Sequence, residues 1–301
     1  MRVLITGGTG FVGKRLCQRL AQAGHELLVV SRSPDKAREM LPQGTQTASS
    51  VLDFVEQAPE AIVNLAGESI AGKRWSEEQK QRLIDSRVNI TQDIVNLCAR
   101  LAQQQKVPKV LVSGSAMGYY GAQGDKKVTE ETPPNDEFAH RLCKRWEDTA
   151  RQAAQHGVRV VLLRTGLVLE KDGGTLAQML PPFKLGLGGR FGDGKQFMPW
   201  IHREDHVRSI EFLLERDDLE GPFNASAPEP VTNDTFTTKV AEHLHRPSFM
   251  WVPGPALKIA LGEMSRLLLT GADMRPAKLE AAGFRFDYPT LDSALSAILG
   301  D

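Results

Sequence analysis

The 301-residue chain has only three cysteines, Cys17, Cys98 and Cys143. They are odd in number, far apart, and each lies in a segment with helical character. That excludes a disulfide framework and a zinc site and suits a reducing compartment. An excess of charge of one sign is also missing: Lys plus Arg and Asp plus Glu number 37 each. No net field therefore draws the chain toward nucleic acid or membrane. No apolar run approaches the length that crosses a bilayer. The N-terminus enters a strand directly, without the basic, apolar and small-residue regions of a signal peptide. A cytoplasmic protein is the expectation. The seven histidines show no metal-ligating spacing with acids or cysteines, so no metal is implied.

What is present begins at residue 2. Arg2–Thr6 is β-branched and aliphatic, Gly7-Gly-Thr9-Gly10-Phe11-Val12-Gly13 follows, then a helical stretch to Gly24, then Leu27-Leu-Val-Val30-Ser31-Arg32. A buried parallel strand, a GxxGxxG turn, a helix and a second strand fit this order. Gly7, Gly10 and Gly13 allow a tight bend and close approach of backbone to a pyrophosphate, and the helix start presents N–H groups to it. An NAD site carries Asp or Glu at the end of the second strand. Here Ser31-Arg32 stands there, with Lys36 and Arg38 behind. A guanidinium pairs with a 2′-phosphate, so NADP (NADPH) is the expected cofactor.

The chain is long enough for one large domain or two intimate lobes. Strand and helix alternate for roughly 165 residues, which predicts an α/β fold, a Rossmann-type doubly wound parallel sheet. Ala61–Asn64 is a strand running into Leu65-Ala66-Gly67, small residues suited to line the adenosine half of the cofactor. Ser76 caps a long helix, Val110–Ser113 is a strand, Glu137–Gln155 a second long helix and Val158–Arg164 a strand. Beyond Leu169 the composition turns to glycine and proline. The expected division is a cofactor domain over 1–169 and a small α/β substrate lobe over 170–301, with elements near 200–225 returning to the first.

Thr6–Gly13, Asn64–Gly67, Leu163–Val168, Trp200–Val207 and Gly221–Asn224 together resemble motifs of the extended short-chain dehydrogenase/reductase superfamily, which contains sugar-nucleotide epimerases and dehydratases. Arg74–Arg87 and Gly118-Tyr-Tyr-Gly121 are similar to its atypical "epimerase family" branch of NADP-binding proteins. The resemblance covers the whole length. It implies cofactor contacts at Ser31, Arg32, Leu65, Ala66 and Arg87, with Val168 at the strand end that passes the nicotinamide. Long helices of this superfamily often pair between subunits, so the resemblance also implies that a homodimer is compatible with 76–103 and 137–155.

The superfamily's chemistry uses Ser, Tyr and Lys, with the Tyr four residues before the Lys on one helical face. Lys144 is suitably placed, both as part of that set and as a ribose contact, but His140 occupies the Tyr position. Ser115 matches the Ser with a one-residue insertion, and Ser113 is the fallback. Three readings stay open. His140 acts as the acid/base; Tyr119 or Tyr120 reaches the same space from the serine strand; or the protein binds NADP without conventional turnover. In the second lobe Arg190, Trp200, His202 and Arg203 are candidates to hold an anionic small-molecule substrate such as a nucleotide sugar. Whether Arg275 or Lys278 touches ligand stays open as well. The functional expectation is an epimerase or oxidoreductase acting on a carbonyl or secondary alcohol. The alternative is an NADP(H)-binding regulatory or scaffold protein.

Overall fold

The computed structural model describes residues 1–300. Its first half runs β1 (Arg2–Thr6), α1 (Phe11–Gln22), β2 (Glu26–Val30), α2 (Pro34–Met40), β3 (Gln46–Ala48), β4 (Ala61–Asn64), α3 (Glu77–Gln103) and β5 (Val110–Ala116). A two-residue β6 (Lys127–Val128), α4 (Phe138–Arg151) and β7 (Arg159–Thr165) complete it. Gly24 follows the end of α1, before β2, at φ +79°, a left-handed position that suits a residue without Cβ. Ser76 caps α3 by accepting from the Gln79 N–H.

The second half contains β8 (Leu167–Glu170), α5 (Gly174–Lys184), β9 (Gly189–Phe191), β10 (Phe197–Met198), β11 (Trp200–His202), α6 (Arg203–Glu215) and β12 (Gly221–Ala225). After it come β13 (Val231–Thr232), α7 (Asn233–His243), β14 (Met250–Val252), α8 (Gly254–Leu261), α9 (Arg266–Leu269), β15 (Asp273–Met274), α10 (Ala277–Ala281) and α11 (Leu291–Leu299).

Seven parallel strands form one sheet in the order β12-β7-β5-β4-β1-β2-β3. The strands are buried on both faces, which is why they read as continuous aliphatic runs rather than alternating ones. Val3, Ile5, Val29, Val63, Val112 and Leu163 pack with Leu16 and Leu20 of α1 and Ile210 and Leu213 of α6. Leu4, Leu28, Ile62, Leu111 and Leu162 point the other way, onto Ile94, Leu97 and Leu101 of α3. The strand order reverses between β1 and β4, and in such sheets the ligand crevice opens at the carboxyl ends of that pair. A third cluster, centred on Trp200, Phe236 and Leu295, holds the second lobe. Among the described residues no helix is long and apolar enough to cross a membrane.

Candidate functional site

The carboxyl end of β1 is packed so tightly that only glycine fits. A Cβ on Gly7, whose φ is +74°, would lie 2.8 Å from the Leu65 carbonyl, and one on Gly13 would lie 2.2 Å from the Gly7 carbonyl oxygen. The turn is thus pressed between the end of β4 and the first turn of α1. No side chain caps α1 and no acid lies in its first turn, so its leading N–H groups and dipole face the crevice. Thr9, Phe11 and Val12 are partly exposed along this edge, and Gly10 is exposed.

Arg32, just past β2, is exposed, and Ser31 is partly so. Ser31 Oγ accepts from the Ser33 N–H at 3.2 Å, which shapes the turn that presents Arg32. At the end of β4, Leu65 and Ala66 are partly buried and Gly67 is exposed. A Cβ on Gly67 would come within 3.0 Å of the Arg87 guanidinium. That guanidinium donates to the carbonyls of Leu83 (2.9 Å) and Glu68 (2.8 Å) and lies 5.3 Å from the Trp146 ring. Burial with no carboxylate in contact lowers its pKa from the ordinary value. Arg87 also donates to the Ser86 hydroxyl at 3.3 Å, and an enclosed cation held only by neutral acceptors retains charge to offer an anion. Val168 is partly buried in β8, beside β11 and opposite Ile201.

Beside the cofactor edge, β5, β7 and α4 assemble a buried polar network. Arg164 and Glu147, each almost fully enclosed, form a bidentate pair at 2.8 and 3.0 Å. Ser115, opposite Arg164 in the sheet register, donates to Glu147 Oε1 at 2.8 Å. Arg164 also donates to the Tyr120 hydroxyl (3.0 Å) and the Glu130 carbonyl (3.2 Å). Burial opposes the charge of Arg164, yet Glu147 outweighs it and holds the guanidinium pKa above its ordinary value. Ser113 is buried lower on β5 and accepts from Asn64 at 3.4 Å.

The two tyrosines after β5 separate. The Tyr120 side chain points inward and is fully buried, its hydroxyl donating to Asn224 Oδ1 at 2.6 Å, and burial pushes the phenol up to about 12. The expectation that Tyr120 reaches the catalytic space is corrected by this packing. Tyr119 turns outward: its ring lies 3.4 Å from the Arg164 guanidinium and edge-on to His140 at 5.2 Å. The His140 Nδ1 bonds the Tyr119 carbonyl at 2.6 Å, so this nitrogen carries the proton and the ring braces the turn. Lys144 is exposed, paired with Asp148 at 2.5 Å and electrostatically coupled to Tyr119; chiefly through Asp148 its pKa is raised.

The second-lobe candidates are not gathered at one surface. Trp200 is fully buried, with Nε1 donating to the Glu229 carbonyl at 3.1 Å. His202 caps α6 by accepting from the Glu204 N–H at 3.1 Å and stacks on Tyr288 at 3.8 Å. Arg203 is shared between Asp172 (2.7 Å) and Glu170 (3.1 Å). Each of these three, expected as an anionic-substrate contact, has an intramolecular task in this structure. Arg190 stays half-exposed and bonds Asp234 at 3.2 Å. Lys278 Nζ is turned to the Glu220 carbonyl, and Arg275 is held by Asp273.

The sequence reading missed Glu147 and Arg164 as site residues, and their signal was available. Arg164 interrupts an otherwise apolar strand, Val160–Leu163, and a cation there requires a buried counter-charge. Asp205 was seen only as a motif position. It is fully buried and accepts from the N–H groups of Asp287 and Tyr288 at 2.8 and 2.9 Å, which ties the C-terminal segment to α6.

Residues 3–226 match the NAD dependent epimerase/dehydratase family, and residues 252–298 match a domain of unknown function (DUF1731). The chain is 38% identical over 304 residues to the chloroplastic epimerase family protein SDR39U1 homolog of Arabidopsis thaliana, covering 99% of this chain and 87% of that one. Its fold is similar to the crystal structure of human epimerase family protein SDR39U1 (isoform 2) with NADPH, at TM-score 0.88 and 34% identity, with both chains fully covered. A nucleoside-diphosphate sugar epimerase of Corynebacterium glutamicum is similar at TM-score 0.78 and 29% identity, over all of this chain and 58% of that one.

Proposed function

We propose that this chain, which belongs to the NAD dependent epimerase/dehydratase family, binds NADP(H) and acts on a carbonyl or secondary alcohol. One observation carries the cofactor half: Cβ atoms at Gly7 and Gly13 would fill the space between β1, β4 and α1, at 2.8 and 2.2 Å from backbone atoms. Such a cradle, beside an uncapped helix start, fits a pyrophosphate. In this reading Gly7, Thr9, Gly10, Phe11, Val12 and Gly13 hold the pyrophosphate. Leu65, Ala66 and Gly67 border the adenosine half, Val168 the nicotinamide half, and Arg87 supplies charge from beneath. Partly exposed Ser31 and exposed Arg32 face the 2′-phosphate, and no carboxylate stands at that strand end to select NAD. The buried, unpaired cysteines accord with a cytoplasmic setting.

NADP(H), when bound, supplies the hydride donor or acceptor. The chain's own residues manage the proton. Tyr119 Oη is the group we assign to transfer it, because its ring is held between Arg164 and His140 at the outer edge of the network. Lys144 and Arg164 bring positive charge to that phenol, and the His140 bond to the Tyr119 carbonyl keeps the turn in place. Tyr119 thereby takes the task that a helical Tyr would perform at position 140. A nucleotide sugar is the substrate class proposed, with Arg190 the second-lobe cation open to its diphosphate; the Corynebacterium relative is itself described as a nucleoside-diphosphate sugar epimerase.

A second reading has its own observation. The Ser115 hydroxyl is committed to Glu147 at 2.8 Å rather than turned to a substrate oxygen, which favours an NADP(H)-binding regulatory protein. One experiment tests both. Fluorescence titration with NADPH, NADP, NADH and NAD is repeated on Arg32→Asp, followed by a carbonyl and nucleotide-sugar screen on wild type and Tyr119→Phe. Tight NADP(H) binding that Arg32→Asp moves toward NAD(H) by at least about tenfold supports the cofactor assignment. Turnover lost in Tyr119→Phe with binding kept supports the enzyme. Binding without turnover of any substrate favours the regulatory reading, and absence of dinucleotide binding overturns both.

A further inference from the structure

Six large apolar side chains stand exposed in two stretches of the second lobe: Leu185, Leu187, Phe249, Met250, Trp251 and Ile259. The two stretches form one surface. Strands β9 and β14 pair in parallel, with Gly189 opposite Met250 and Arg190 opposite Trp251, and a Cβ on Gly186 would touch the Pro247 ring at 3.6 Å. Phe249 is 76% and Ile259 79% exposed, so the chain does not cover this face itself. Elsewhere exposed apolar residues occur singly, as at Met40 and Val107.

The charge of this surface differs from that of the whole chain. Residues 183–192 and 244–262 carry Lys184, Arg190, Arg246 and Lys258 and contain no Asp or Glu; exposed Asp193 and Glu263 follow them directly, Glu263 being engaged by Lys80. Arg190 shares its charge with Asp234 from outside the two stretches. Lys184, Arg246 and Lys258 are exposed, and among the described residues none of them enters an ion pair. Three cations outside any ion pair thus share these two stretches with exposed Trp, Phe, Leu and Ile side chains.

We propose that this face docks on an anionic lipid surface, lying on the bilayer without spanning it. Lys and Arg heads reach the phosphates while aromatic and aliphatic side chains enter the headgroup boundary. The Trp251 indole N–H donates to the Gly192 carbonyl at 2.6 Å, which fixes its ring against the strand end. A second copy on this face would oppose like charges, so self-association is disfavoured. The balanced overall charge supplies no long-range pull toward a membrane, so the attraction is local to this face; the lack of a spanning helix bears on crossing a membrane, not on resting against one.

Trp75, Trp146 and Trp200 are buried and already emit from apolar surroundings, so a blue shift on vesicle binding reports Trp251. Full-length protein is mixed with vesicles of phosphatidylcholine alone and of equal parts phosphatidylcholine and phosphatidylglycerol. Expected are co-sedimentation and a blue shift with the anionic vesicles, weakened by salt. Lys258→Glu and Phe249→Ser, each with unchanged thermal melting, should lower partitioning at least about fivefold. Equal binding of both variants, or no binding to anionic vesicles, overturns the proposal. So does a concentration-dependent dimer that Phe249→Ser dissolves, because the face then belongs to a second copy.

Discussion

His206 lies on α6 with its ring enclosed; Nε2 is 3.0 Å from Thr165 Oγ1 and Nδ1 has no partner. Burial alone lowers its pKa from 6.5 to about 4. The unfolded chain therefore takes up the proton first as pH falls. The stability that depends on the neutral ring is complete above about pH 6.5 and is lost as pH falls toward about 4. At about 1.4 kcal/mol per pH unit the full interval amounts to about 3 kcal/mol. Chemical denaturation of wild type and His206→Gln at pH 7 and pH 5 should show wild type losing about 2 kcal/mol more than the variant. Equal losses would remove His206 as the source. At the same scale, the buried ion pair behind Ser115 was hidden for a physical reason. Glu147 sits among Arg145, Asp148 and Arg151 on an amphipathic helix, where a carboxylate reads as solvated; only the three-dimensional register sets it opposite Arg164.

Elements differ in how much of their structure is written locally. The unit β1–α1–β2 was legible because burial on both faces forces unbroken aliphatic strands, and because each glycine has a distinct steric duty. Gly13 and Gly24 allow that distinction to be measured. A methyl at Gly24 meets nothing within 4 Å, so Gly24→Ala costs only the positive φ, about 1 kcal/mol. At Gly13 the methyl collides with the Gly7 carbonyl oxygen at 2.2 Å, between backbone segments that cannot both move. Gly13→Ala should cost roughly 2–3 kcal/mol in thermal unfolding and abolish dinucleotide binding, while Gly24→Ala keeps it. Binding retained in Gly13→Ala would refute the cradle. By contrast β9, β10, β13, β14 and β15 are two or three residues long, too short to show any periodicity, and each exists only through a distant partner such as β9 with β14. That is why the second lobe read as glycine- and proline-rich turns, and why the tasks of Trp200, His202 and Arg203 could not be foreseen.

At the scale of the whole molecule, the lobes are joined by more than a linker. The chain leaves the sheet after β7, builds β8 to β11, and returns through α6 and β12, so the sheet edge and the part of one helical layer beside α1 come from beyond residue 200. Arg15 and Arg19 of α1 pair with Glu204 and Glu211 of α6 at 2.8 Å each. Val161, Leu163 and Ile210 lie in one cluster with Phe223 and Leu279. On the ligand side, Cβ atoms at Gly173 and Gly174 would strike the Phe11 ring at 2.3 and 2.9 Å, which seats the second lobe on the glycine turn. Farther along, Arg266 pairs with Glu137, and Lys80 with Glu263 at 2.6 Å. A fragment of residues 1–169 therefore retains the glycine turn and β1 to β7 yet leaves the α6-facing side of the sheet open to water. Exposing that many aliphatic side chains removes several times about 2 kcal/mol, more than the usual net stability of a domain. The fragment should be insoluble or unfold without a cooperative transition, whereas the full chain melts as one unit in calorimetry. A soluble 1–169 fragment with a sharp melt and NADPH binding would instead make the first lobe an autonomous domain, with the returning elements as ornament rather than core.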